Sequence, residues 1–198
     1  MKATNNGRLV ELPDCKITIP GASLESNYSN LPNPSGEILL NNLPDINDTK
    51  SAVYNGENII GRSFPLYTYS HSGERSISMQ LHFLIVNPND GYRNLQYLRM
   101  IQSAVYPRKG TSSPYQPPPV CTIKCGSLLD DKELCVILTS YSVKFPTDVA
   151  WEENTYCPYR FDVDTSWLVV YTSEKLPYQE DIIDAAKKNR IFEIPSKR

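Results

Sequence analysis

The clearest rhythm in the chain runs through residues 76–85, where Ile77, Met79, Leu81, Phe83 and Ile85 alternate with Ser76, Ser78, Gln80 and His82. Successive side chains of a strand point to opposite faces, so this period of two predicts a strand with one buried and one wet face. Residues 160–171 repeat the pattern: Phe161, Val163, Trp167, Val169 and Tyr171 oppose Arg160, Asp162, Asp164 and Ser166. Residues 120–125 and 134–145 read as two further strands, with Leu128, Leu129, Asp130, Asp131 and Lys132 as the hairpin tip between them. A different spacing, three and four, links Tyr92, Leu95, Leu98, Ile101, Gln102 and Val105, and predicts a helix with a single buried stripe. Asn87 and Pro88 open that helix. Tyr106-Pro107 closes it, because the residue before a proline is driven out of the helical region.

Elsewhere the pattern weakens. The first 57 residues are rich in Asn, Pro, Ser and Gly and read as a loose arm with short extended pieces at 15–19 and 37–40. Leu31 to Gly36 and Asn41 to Asp45 read as turns. Residues 65–70 form an extended segment that Ser72, Gly73 and Glu74 turn into the long strand. Residues 108–119, ending in Pro117-Pro118-Pro119, read as a long loop with a stiff end. A short helix is predicted over 178–190, with Glu180 and Asp181 first and Lys187, Lys188 and Arg190 last, as the helix dipole favours. The predicted organisation is an N-terminal arm (1–57), a β domain (58–176) and a C-terminal helix and tail (177–198).

Composition narrows the function more than the fold. At 198 residues the chain suits one core with extensions, and 40% hydrophobic against 21% charged residues suits a folded protein. A net charge of -2 gives no basic footprint for specific nucleic-acid binding. The longest apolar run, Leu81 to Val86, is interrupted by His82 and falls far short of a membrane span, so no membrane partner is expected. The polar N-terminus has no signal-peptide core, and five scattered cysteines form no disulfide framework, which together read as synthesis in the cytoplasm.

Candidate chemistry is sparse. A histidine base would have to be His71, beside a turn, or His82, on the polar face of a strand, where solvation is the ordinary explanation. Cys121, Cys125 and Cys135 could be imagined as a three-thiol cluster, but zinc sites usually come as two closely spaced pairs, and core packing explains these thiols better. Asp162 and Asp164 share a strand face and could form a carboxylate pair; a solvated face, like the exposed turn at Asp130 and Asp131, is the simpler reading. There is no phosphate loop and no hydrolase or metalloprotease motif. No residue is assigned a catalytic, cofactor-binding or metal role, and no enzyme activity is expected. The excess lies in thirteen tyrosines and sixteen prolines. Tyr67, Tyr69, Tyr97, Tyr106, Tyr115, Tyr156 and Tyr159 fall near turns or element ends, where tyrosine serves either contact surfaces or ordinary strands.

The order of phrases carries a resemblance. Asn58-Ile59-Ile60-Gly61-Arg62-Ser63-Phe64-Pro65, then Tyr67-Thr68-Tyr69-Ser70 and Gly73-Glu74-Arg75-Ser76, precede the long strand. The helix ending at Tyr106-Pro107, the strand opened by Pro117-Pro118-Pro119-Val120, the phrase Tyr141 to Pro146 and the lead-in Cys157-Pro158-Tyr159 follow. Over residues 58–175 this resembles the tail-tube initiator and baseplate adaptor proteins of contractile-tailed bacteriophages, including ripcord proteins. The resemblance implies a mainly β (α+β) fold with one packed central helix: an antiparallel β-sandwich or split barrel of the tail-tube type. It implies a virion subunit forming a ring, a hexamer, between tail tube and baseplate hub, with tube, hub and wedge proteins as partners and genomic DNA passing a polar lumen. The alternatives are another non-enzymatic β module, capsid-type or carbohydrate-binding, and a small hydrolase pairing a cysteine with His71 or His82.

Overall fold

The alternating segments are the interior strands of one seven-stranded antiparallel sheet in the computed structural model, which describes residues 15–21, 36–108, 116–126, 128–129, 133–153, 156–171, 176–179 and 182. In chain order the elements are β1 (Cys15–Thr18), β2 (Glu37–Leu39), β3 (Asp45–Glu57), β4 (Leu66–Leu84), α1 (Pro88–Ser103), β5 (Cys121–Cys125), β6 (Leu134–Lys144) and β7 (Arg160–Val169). The sheet order is β2-β1-β5-β6-β7-β4-β3. Among the described residues the chain is therefore mainly β with one long helix.

One face of the sheet makes the core. Ile77, Met79 and Leu81 of β4 pack with Phe161, Val163 and Trp167 of β7, Val136 and Leu138 of β6, Ile123 of β5, and Ile17 and Ile38 of β1 and β2. The one polar side chain buried among the strands is satisfied: Thr165 donates to the Met79 carbonyl at 3.0 Å and accepts from the Trp167 indole N–H at 2.8 Å. Phe83 and Phe161 stack at 5.0 Å across the β4–β7 pair.

Helix α1 starts where expected. The Asp90 carboxylate accepts the backbone N–H groups of Val86 and Asn87 at 3.1 and 2.9 Å, occupying donors that a helix start leaves open. Asn94 donates to the Leu84 carbonyl at 3.0 Å and ties the helix to the end of β4. The buried stripe includes Asn94, Tyr97, Leu98, Met100, Ile101 and Ala104, rotated from the predicted one, so that Tyr92 is exposed. The chain leaves the helix through a tightened turn at Ala104–Tyr106, one step before Pro107. Beyond it, Arg108 and Gln116 exchange backbone hydrogen bonds at 3.0 and 3.2 Å, so the two ends of the long loop meet.

Two sequence readings are corrected. Residues 45–57, taken as part of a loose arm, form β3, a thirteen-residue strand along the edge of the sheet. Its side chains are exposed on both faces apart from a half-buried Ile46, so no apolar period marks it, and its partner β4 supplies the order. Ser72, Gly73 and Glu74 make no turn, because β4 continues through them as one nineteen-residue strand. Gly73 serves close approach instead. Here β4 bulges, setting Gly73 and Glu74 against the single residue Ser51 of β3, and a side chain on Gly73 would collide with the Ser51 hydroxyl and crowd its carbonyl at 3.3 Å.

The bend at Asn41 and Asn42 is present. Of the predicted tail helix, Gln179 and Ile182 are helical, with the Ile182 N–H bonded to the Tyr178 carbonyl at 3.4 Å. The turn residues 31–35, Tyr115, the hairpin-tip residues 130–132 and residues 183–190 lie outside the described residues.

Candidate functional site

The register of three strand pairs builds the surface opposite the core. Directly opposed residues share a face, so the pairings set Lys144, Asp162 and His82 in one row across β6, β7 and β4. The next row is Ser142, Asp164, Gln80 and Asp45, and the next is Ser140, Ser166, Ser78 and Asn47. This is a polar sheet face built from short hydroxyl, amide and carboxylate side chains. A shallow depression of about 430 Å³ crosses its middle, lined by Asp45, Asn47, Gln80, Asp164 and Ser166.

His82 stands in that face as half of a close pair. Its Nδ1 lies 2.7 Å from the Asp162 carboxylate and its Nε2 lies 3.5 Å from Asp45. With a carboxylate on each ring nitrogen, neither nitrogen is directed at a thiol or hydroxyl nucleophile. His71 lies far out on β4 and contacts the Ser70 hydroxyl at 3.1 Å. Asp162 thus meets His82, whereas Asp164 stands one row away with Gln80 and Ser142, and the suggested Asp162–Asp164 pair is split between rows.

The thiols do not converge as a three-cysteine cluster. Cys121 and Cys125 face the core, while Cys135 opposes Thr122 on the other face and is exposed. Burial pushes the Cys121 and Cys157 thiols up to about 11. Burial and the neighbouring Cys15 push Cys125 up to about 12. At neutral pH these three remain protonated and poorly nucleophilic. No group of three His, Cys, Asp or Glu side chains among the described residues is placed to hold a metal ion. No helix among them is long and apolar enough to cross a membrane.

The most unusual surface is a ribbon that sequence reasoning missed. β4 pairs with β7 only from Ser76 to Leu84, so its first ten residues have β3 as their one strand partner. There the β3–β4 hairpin leaves the sheet as a two-stranded ribbon. Tyr54 lies opposite Tyr69, Gly56 opposite Tyr67, and Tyr67 packs over the bare Gly56 backbone. These three tyrosines therefore share one ribbon face, with the Tyr54 and Tyr69 rings edge to face at 5.8 Å. At the tip, Ile60 is fully exposed and Phe64 is 69% exposed. Of the tyrosines singled out from the sequence, Tyr67, Tyr69, Tyr106, Tyr156 and Tyr159 are exposed and Tyr97 is buried.

Arg75 fixes the root of this ribbon. Its guanidinium donates to both oxygens of Asp48 at 2.6–3.1 Å, to the Tyr171 hydroxyl at 3.2 Å and to the Leu129 carbonyl at 3.2 Å. The Asp48 hydrogen bonds raise its pKa further still, so it stays a cation at every accessible pH. Nothing in the sequence flags Arg75, because its partners lie 27, 54 and 96 residues away. The chain matches no protein-family model and no curated protein sequence.

Proposed function

We propose that this chain is a structural subunit of a phage tail, forming a ring at the junction of tail tube and baseplate hub. The observation that carries the reading is the projecting β3–β4 ribbon. A two-stranded ribbon has no core of its own, and large apolar side chains left in water at Ile60 and Phe64 favour a covering partner. In a ring, the ribbon of one subunit lies against the next, and every subunit both gives and receives the same contact. Among the described residues β2 and β3 are the edge strands, and an edge without a strand beyond it lets the sheet continue into a neighbour.

The polar face suits a lumen. Its rows carry Asp45, Asp162 and Asp164 against Lys144 and Arg160, and a face without net positive charge lets a polyanion pass without sticking. The split-barrel reading is supported by the small recess in which Leu39, Leu40 and Asn41 meet His82, Phe83, Leu84 and Asn94, beside the ends of β2 and β4. The phrase order over residues 58–175 points the same way.

The test is quantitative mass spectrometry of density-purified phage particles from the source culture. A closed ring gives about six copies per particle; absence from particles overturns the assignment. The tyrosine face of the ribbon favours one second reading, a carbohydrate-binding β module, since sugars stack on exposed aromatic rings. Glycan binding lost on Tyr54→Ala and Tyr67→Ala substitution, in a protein absent from particles, would establish that instead.

A further inference from the structure

The short strand β1 is held in the sheet between β2 and β5, and its first residue faces a second cysteine. Cys15 and Cys125 are Cα partners in the antiparallel β1–β5 register. Both side chains are buried, at 5% and 1% exposure, and they hydrogen-bond each other. Directly opposed residues of an antiparallel pair have Cα atoms about 4.5 or 5.5 Å apart, and both spacings lie inside the range that a disulfide spans, roughly 4.4–6.8 Å. None of the other three cysteines is a strand partner of either: Cys121 opposes Val136, Cys135 opposes Thr122, and Cys157 lies in the loop before β7.

We propose that Cys15 and Cys125 are a disulfide-forming site that staples β1 to β5 when the protein meets a small-molecule disulfide. The step is ordinary exchange. One thiolate attacks a sulfur of the reagent, forming a mixed disulfide and releasing one reagent thiol. The second protein thiolate then attacks the protein-side sulfur, forming the Cys15–Cys125 bond and releasing the other reagent thiol. The protein loses two hydrogens and the reagent is reduced to two thiols, so electrons and protons balance. The closed bond encloses more than half of the chain in one loop and restricts the unfolded state accordingly.

Burial sets the rate. Cys125 is held almost wholly protonated at neutral pH and is shielded from solvent, so exchange proceeds through openings of the β1 region, whereas exposed Cys135 reacts at once. The staple is independent of the ring assignment, because it needs only the β1–β5 register.

The test uses the full chain carrying Cys135→Ser, an exposed substitution that leaves the core intact, incubated with oxidised glutathione. Intact mass and non-reducing peptide maps follow the product. The expected result is loss of two hydrogens without retained glutathione, one crosslinked peptide joining Cys15 to Cys125, and a Tm raised by roughly 5–15 °C that returns on reduction. Adding Cys15→Ala should abolish the crosslink and the Tm rise. A crosslink to Cys121 or Cys157, or no crosslink after conditions that open β1 but leave the core folded, overturns the proposal.

Discussion

β4 lives in two environments. From Ile77 to Leu84 it pairs with β7, flanked by β3 as far as Gln80, and every second side chain enters the core; from Leu66 to Arg75 β3 is its one strand neighbour and its residues are mostly exposed. Both stretches belong to one continuous strand. What changes is whether a side chain has anything to displace water against. The inner half is held by apolar burial, at about 25 cal/mol per Å² removed from water. The outer half is held by a hydrogen-bonded ladder, cross-strand tyrosine contacts and the Arg75–Asp48 anchor at its root.

That contrast can be broken most severely from the inside. Trp167→Ala removes the largest fully buried side chain and orphans a Thr165 acceptor, so urea denaturation should show a loss of about 3–5 kcal/mol. Thr165→Val keeps the volume but strips the indole N–H of its partner. The expected loss is about 1–3 kcal/mol, and a value near zero would mean that the indole finds another acceptor. Arg75→Met should cost about 1 kcal/mol globally. Its sharper signature is faster hydrogen exchange at Val53 and Tyr69 with unchanged protection at Val163, because the ribbon loses its anchor while the core does not. Ile60→Asp with Phe64→Ser should shift stability by less than about 0.5 kcal/mol. The same double substitution should abolish co-purification with particles. A comparable loss of stability and assembly would show that the ribbon belongs to the core after all.

The same contrast explains what could be read from the sequence. Residues 77–85 and 161–169 announce themselves because one face is buried, and burial is what writes a period of two. β3 is as long as any strand but β4, yet Asp45 to Glu57 carries no such period, since neither face is enclosed. Ser72-Gly73-Glu74 has the composition of a turn, and only the bulge that sets Gly73 and Glu74 against Ser51 of the facing strand shows why a glycine is wanted in a continuous strand. The Cys121–Cys125 spacing correctly set both thiols on one face. The closer pairing of Cys125 with Cys15 depends on a register 110 residues apart in sequence, which no local pattern encodes. His82 was legible as a polar-face residue, but its two carboxylate neighbours come from β7 and β3, brought together only by the sheet order.

That order also sets a timetable. Among the described residues β2, β1, β5 and β6 form one run of neighbours, β4 and β3 form another, and the one strand bonded to both runs is β7, the last of the seven in chain order. A ribosome delivering this chain from its N-terminus exposes the apolar face of β4 for the time taken to synthesise the residues up to 169. The β3–β4 hairpin and α1 can form at once from local contacts, but the two halves of the sheet stay unjoined until β7 slots between them. Folding is thus a closing event with a late trigger, and nascent chains stopped before β7 carry the sticky edges that chaperones bind.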